Sequence, residues 1–275
     1  MKKMEKKDVA LVLASGGAKG FAHIGVIEEL ERRGFNITSV AGTSMGALIG
    51  GLYAAGGLEQ AKRWFYDLDN KKIWSLLDFN WSINSFVKGE KLIDAMKEIV
   101  PDVNIEDLPI PYCAVTTDMK TGEEVVIRQG SLYKAIRASI SLPVIFTQVA
   151  TEDQILVDGG LVNGLPLNRV ARKPGDLLVA VNLDDYEWNE SEEEKPVGRF
   201  PRVRSTLNAL SNNPINMLRR SLSVAIRQNI NLSLQLTPPD IYLNVELGSY
   251  GSYDYDNARE IADLGSKQMA RLLDK

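Results

Sequence analysis

The chain has 275 residues, 44% of them hydrophobic and 25% charged, with a formal net charge of -4. That length and balance allow a substantial buried core, while the negative balance, with no basic stripe interleaved with aromatics, argues against nucleic acid as a partner. A single cysteine, Cys113, excludes an intrachain disulfide and a cysteine-based zinc cage and reads as a small buried hydrophobe in a reducing, cytoplasmic compartment.

The chain opens with Lys2, Lys3, Lys6 and Lys7, read as a solvated end with anionic lipid as the alternative contact. The apolar run that follows is too short for a signal peptide's core. Val9 to Ala14 reads as a buried strand, Gly16 to Gly20 as a tight loop, and Phe21 to Arg33 as an amphipathic helix closed by Gly34. The pattern then repeats, with a strand at Ile37 to Ala41 and a helix at Ser44 to Ala55. Two such units in succession argue for a parallel sheet covered by helices. Helices are expected at Leu58 to Asp69 and Gly89 to Val100. Strands are expected at Ile110 to Thr116, Glu124 to Arg128, Val144 to Val149, Gln154 to Val157 and Leu177 to Asn182, the middle pair as an antiparallel addition. Tyr186 to Gly198, with five glutamates, reads as a solvated acidic loop rather than an ion site. A helical region over Pro201 to Gln235, a strand over Ile241 to Val245 and a terminal helix from Asp256 complete the chain. Nothing forces a second domain, and no apolar window approaches the roughly eighteen residues of a membrane span, so any membrane contact is expected to be peripheral.

Within this frame Val40-Ala41-Gly42-Thr43-Ser44-Met45-Gly46-Ala47 reads as a strand running into a sharp turn that lifts one serine above a helix. The Gly-x-Ser-x-Gly pattern needs Gly42 and Gly46 because neighbouring backbone comes close at a strained serine, which makes Ser44 the candidate nucleophile. Attack on an ester needs a base and oxyanion donors. The amides of Ser15-Gly16-Gly17-Ala18-Lys19-Gly20, at a helix N-terminus, are candidate donors. A phosphate-binding loop is the bland alternative, but the spacing matches neither common nucleotide motif. His23, the only histidine, is in register with Ile27 and Leu30 and reads as a packed structural residue, which leaves a carboxylate as base. Asp158, at what reads as the exposed end of Ile155-Leu156-Val157 before Gly159-Gly160, is the candidate, with a turn-forming aspartate as the equal alternative.

Gly16-Gly17-Ala18-Lys19-Gly20, the elbow around Ser44 and Asp158-Gly159-Gly160 resemble, in order and separation, the motifs of patatin-like phospholipases, especially bacterial ones. The resemblance extends to Phe21-Ala22-His23-Ile24-Gly25-Val26, to Ala138-Ser139-Ile140-Ser141-Leu142-Pro143-Val144-Ile145-Phe146 and to Leu161-Val162-Asn163-Gly164-Leu165-Pro166. Together these motifs span about residues 8–183 of a single domain over 1–275, with an extension at about 200–275. It implies a three-layer α/β/α fold with a mostly parallel sheet, a Ser44–Asp158 dyad without catalytic histidine, and an oxyanion hole from Gly16, Gly17, Ala18, Lys19 and Gly20. Three positions depart from the family pattern: Ser15 for a frequent glycine, Lys19 for arginine and Gly164 for asparagine.

The activity expected is hydrolysis of phospholipid or lysophospholipid esters through an acyl-enzyme, with no metal or organic cofactor. An acyltransferase on the same acyl-enzyme, or a non-catalytic lipid-binding protein, is the alternative. The aromatic segment 73–87, with Trp74, Phe79, Trp81 and Phe86, is expected either to pack on the core or to act as a lid or acyl-chain wall. Head group, acyl-chain length and oligomeric state have no signature in the sequence.

Overall fold

The computed structural model describes residues 7–68, 72, 75–76, 89–143, 146–183 and 214–275. Its elements begin with β1 (Lys7–Leu13), α1 (Ala22–Arg32), β2 (Phe35–Thr43), α2 (Met45–Ala54), α3 (Leu58–Tyr66) and α4 (Glu90–Ile99). They continue with β3 (Tyr112–Asp118), β4 (Glu124–Ile127), α5 (Leu132–Ser139), β5 (Val149–Ala150), β6 (Ile155–Asp158) and α6 (Gly160–Asn163). The chain closes with β7 (Leu177–Asn182), α7 (Pro214–Leu236), β8 (Ile241–Asn244) and α8 (Ala258–Leu273). The aromatic segment 73–87, apart from Ser75 and Leu76, and the acidic run lie outside the described residues.

One mixed, mostly parallel sheet runs β5-β6-β3-β2-β1-β7-β8, with β4 paired to β3. The pairs β3–β2, β2–β1, β1–β7 and β7–β8 are parallel; β3–β4, β3–β6 and β5–β6 are antiparallel. Alternation of side chains across β1 fills both faces. Val9, Leu11 and Leu13 enter the cluster under α1, α2 and α8. Ala10, Val12 and Ala14 enter the smaller cluster beneath α7, with Leu165, Leu178 and Ile230. This is the three-layer arrangement: a parallel strand buried on both faces reads as the near-continuous apolar run seen at Val9 to Ala14. Burial of α2 is nearly complete, and Leu48, Ile49 and Leu52 each contribute about 1.5–3 kcal/mol from apolar area removed from water.

Register explains how the site forms. Strand β4 occupies one edge of β3 along Ala114–Thr117, so the overlapping partners β2 (at Tyr112–Val115) and β6 (at Thr116–Asp118) share the other edge, end to end. Because β6 runs antiparallel to β3, its last residue, Asp158, pairs with Thr116, next to the Thr43–Val115 pair that ends β2.

The sequence did not announce α5. Ser131 caps it, its Oγ accepting from the Lys134 amide, and eight residues are too few for a strong periodic signal. Of the strand expected over Val144 to Val149, only Val149 lies in a strand; Phe146 to Gln148 do not, and Val144 and Ile145 lie outside the described residues. The helical region expected from Pro201 is described from Pro214 onward. No helix among the described residues is long and apolar enough to cross a membrane.

Candidate active site

Between β2 and α2 the backbone makes its turn at Ser44, which has φ 56° and ψ -122° and is the only non-glycine residue with positive φ among those described. Such a conformation costs on the order of 1–3 kcal/mol and persists only where the surroundings hold it. The surroundings here are backbone. A Cβ at Gly42 would lie 2.3 Å from the Gly46 carbonyl oxygen, and one at Gly46 would lie 2.3 Å from the Leu13 carbonyl oxygen. No side chain fits at either position.

Ser44 Oγ donates a 2.5 Å hydrogen bond to Asp158 Oδ2. The other carboxylate oxygen, Oδ1, accepts from the Gly160 amide at 2.7 Å. The Asp158 amide donates to the Ser141 carbonyl at 3.0 Å, so the residue is tied to both flanking loops. The sequence suggested an exposed strand end. The structure instead buries Asp158 to 2% exposure, because β6 terminates against β3 and the Ser44 turn rather than in solvent. Burial raises its pKa from 3.8 to about 6, against the opposing pull of the Ser44 hydroxyl and the Gly160 amide, which favour the carboxylate.

His23 takes no part in this contact. It is fully buried in α1, its Nε2 2.9 Å from the Ala14 carbonyl oxygen and its Nδ1 without a partner among the described residues. Nε2 is therefore the donor, and burial lowers the pKa to about 4. The ring stays neutral near pH 7 and fixes the end of β1 where the glycine loop begins.

The loop itself is a 3-10 helix over Gly17–Phe21. Its i→i+3 bonds engage the amides of Lys19, Gly20 and Phe21. The Ala18 amide donates to the Ser252 carbonyl at 2.9 Å, and the amides of Gly16 and Gly17 have no acceptor among the described residues. Gly20 packs so tightly against Met45, the residue after Ser44, that a Cβ would lie 2.0 Å from Met45 Cγ. The Ser15 amide donates to the Gly164 carbonyl at 2.9 Å, which fixes the loop's entry. Where the motif departs from the frequent asparagine, a Cβ at Gly164 would press on Ile226 and Ile230 of α7 at 3.1–3.2 Å.

Two residues to which sequence reasoning gave no role border the site. Ser139, fully buried, accepts from the Ser44 amide at 2.9 Å and donates to the Val115 carbonyl at 2.7 Å. It lies in the motif that starts at Ala138, and its place at the end of α5 is the signal that spacing alone does not give. Ser252, beyond the motif span, had no local signature at all. One cavity of about 400 Å³ is lined by Asp102, Asn104 and Ser131 and another of about 240 Å³ by Glu106, Tyr112 and Arg128, and neither borders Ser44 or Asp158.

A family model described as patatin-like phospholipase matches residues 11–171. An uncharacterized NTE family protein of Mycobacterium tuberculosis is 43% identical over 188 residues, covering 68% of this chain and 52% of that protein. A patatin-like phospholipase domain-containing protein of Caenorhabditis elegans is 30% identical over 281 residues (94% and 20%). A lysophospholipase of Kluyveromyces lactis is 26% identical over 274 residues (94% and 18%). The chain thus spans about half the length of the mycobacterial relative and far less of the other two. Among solved structures, VipD from Legionella pneumophila superposes with a TM-score of 0.57 at 16% identity, covering 98% of this chain and 67% of that one, a likeness of fold.

Proposed function

This chain belongs to the patatin-like phospholipase family, and from that premise we propose that it is a cytoplasmic, single-domain serine hydrolase that cleaves carboxylic esters of phospholipids or lysophospholipids. The observation that carries the proposal is the 2.5 Å hydrogen bond from Ser44 Oγ to a buried Asp158. An aspartate with an ordinary pKa is a poor base for a hydroxyl; one raised to about 6 still holds a negative charge near pH 7 and accepts a proton more readily.

Ser44 attacks the ester carbonyl as its proton passes to Asp158 Oδ2, and the carbonyl oxygen becomes an oxyanion. The glycine loop receives that charge. Within Gly16 to Gly20, the Gly16 and Gly17 amides are the uncommitted donors, and each oxyanion donor is typically worth about 3–4 kcal/mol of transition-state stabilisation. Asp158 then returns the proton to the departing alkoxide, leaving the acyl group on Ser44. A water molecule deprotonated by Asp158 attacks that acyl-enzyme, and Ser44 leaves as the hydroxyl with the proton restored. A lysophospholipase among the relatives supports a lipid ester as substrate.

Incubation with a panel of phospholipids and lysophospholipids, with products read by mass spectrometry, tests this. Free fatty acid is expected from wild type, with loss of at least about a hundredfold in Ser44→Ala and Asp158→Ala. Fatty acid release at the wild-type rate by folded Ser44→Ala would refute it.

A further inference from the structure

Nine large hydrophobic side chains stand exposed among the described residues, and five of them, Met217, Leu218, Val224, Leu232 and Leu236, lie on α7. At 100° per residue these five fall within about a third of the helix circumference. Ile226 and Ile230, on the opposite side, pack into the cluster beneath the sheet. The stripe is therefore a second face, outside the one that holds the helix in place, in which these hydrophobic side chains alternate with the uncharged Ser221, Gln228 and Gln235. The sequence of α7 adds Arg219, Arg220 and Arg227 and not one Asp or Glu in its 23 residues, in a chain whose net charge is -4.

Topology aims one end of this helix. Strands β7 and β8 are parallel and α7 connects them, so α7 runs back against the strands and begins at the carboxyl edge of the sheet, where Ser44 and Asp158 meet. Two contacts fix the level. Asn229 Nδ2 donates to the Leu161 carbonyl at 2.9 Å, and Ile226 and Ile230 cover Gly164, whose carbonyl holds the Ser15 amide. These partners lie immediately beyond Asp158 and at the start of the glycine loop. Residues 214–225 therefore continue past the catalytic edge by about 18 Å at 1.5 Å per residue. Among those whose burial is described (217, 218 and 221–225), none is buried.

We propose that this projecting half of α7 is the surface by which the protein lies on an anionic lipid bilayer, with Met217, Leu218 and Val224 entering the boundary between headgroups and acyl chains. The inference deepens the lipid hydrolase reading and rests on it. An acid-free, arginine-bearing helix with exposed hydrophobic side chains along one face matches what an anionic interface selects, and its position brings that interface to the side of the sheet where an ester must reach Ser44.

The test uses the full chain carrying Ser44→Ala, so that vesicles survive, and measures co-sedimentation with phosphatidylcholine vesicles with and without phosphatidylglycerol. Binding is expected to favour the anionic vesicles. The combination Met217→Glu, Leu218→Glu and Val224→Glu should weaken it by roughly tenfold or more, while Leu232→Glu, on the same stripe but away from the projecting end, leaves it unchanged. With Ser44 restored, the triple variant should keep wild-type activity on a short-chain soluble ester and lose vesicle hydrolysis. Far-UV circular dichroism checks that α7 is intact.

Unchanged binding by the folded triple variant overturns the inference, as does an equal loss in Leu232→Glu. A parent that sediments as a dimer, becomes monomeric in the triple variant and binds vesicles equally in both states assigns the face to a second copy of this chain. Failure of the wild-type chain, with Ser44 intact, to cleave any ester sinks the hydrolase reading, and the vesicle result then stands apart from it.

Discussion

Asp158 and His23 are both buried titrating side chains, and they bend the pH dependence of stability in opposite senses. Between pH 3.8 and about 6 the folded Asp158 keeps a proton that the unfolded chain has released, so rising pH removes about 3 kcal/mol of stability across that window. Between about 4 and 6.5 the unfolded histidine takes up a proton that the buried ring refuses, so rising pH adds about 3 kcal/mol. The two nearly cancel in the wild type. Chemical denaturation of Asp158→Asn should show stability climbing from pH 4 to 6.5 and exceeding wild type near pH 7; His23→Asn should show it falling over the same range. Parallel curves for all three proteins would contradict these protonation states. Activity follows Asp158 alone, with kcat/KM rising to a plateau above about pH 6.

The pairing of elements decides how Ser44 is held. Its strained φ is fixed on one side by Gly42 and Gly46 and on the other by α5, whose last residue, Ser139, bridges the Ser44 amide and the Val115 carbonyl. This bond has a chemical consequence. In the Ser-His-Asp serine protease template the nucleophile's own amide serves the oxyanion, whereas here that amide is committed to Ser139, and the duty passes to the glycine loop. Ser139→Ala leaves two buried polar groups unpaired, and a loss of about 2–4 kcal/mol in stability with a lower kcat is expected. An unchanged melting temperature and rate would mean that the turn holds itself.

At this scale the sequence was legible wherever a signal is local. The elbow glycines, the β1-loop-α1 unit and the β7 limits of Leu177–Asn182 could all be read from spacing and runs. Helix α5 was missed because it is short, and the burial of Asp158 was missed because end-to-end sharing of one β3 edge by β2 and β6 is a non-local pairing with no signature in Ile155-Leu156-Val157-Asp158 itself.

Across the whole molecule, the C-terminal elements support the site from outside the motif span. Helices α1 and α8 cross backbone to backbone: a Cβ at Gly25 would lie 1.8 Å from the Ala262 carbonyl oxygen, and one at Gly265 would lie 2.1 Å from that of Ala22. The same packing carries Ser252 onto the Ala18 amide. Gly265→Val should separate the two helices, cost at least about 3 kcal/mol and slow catalysis by disturbing the loop, as measured by thermal denaturation and ester turnover. A wild-type melting temperature would show the crossing to be dispensable. None of this could be read beforehand, because glycines in a helix look like defects until the partner helix is in view.

Activation of Ser44 by Asp158 and not by His23 is measured most directly by the rate at which a fluorophosphonate labels Ser44. Wild type should be labelled at Ser44, His23→Asn within about threefold of that rate if folded, and Asp158→Asn at least about a hundredfold more slowly. A folded Asp158→Asn protein labelled as fast as wild type, or a folded His23→Asn protein that does not label, would contradict it.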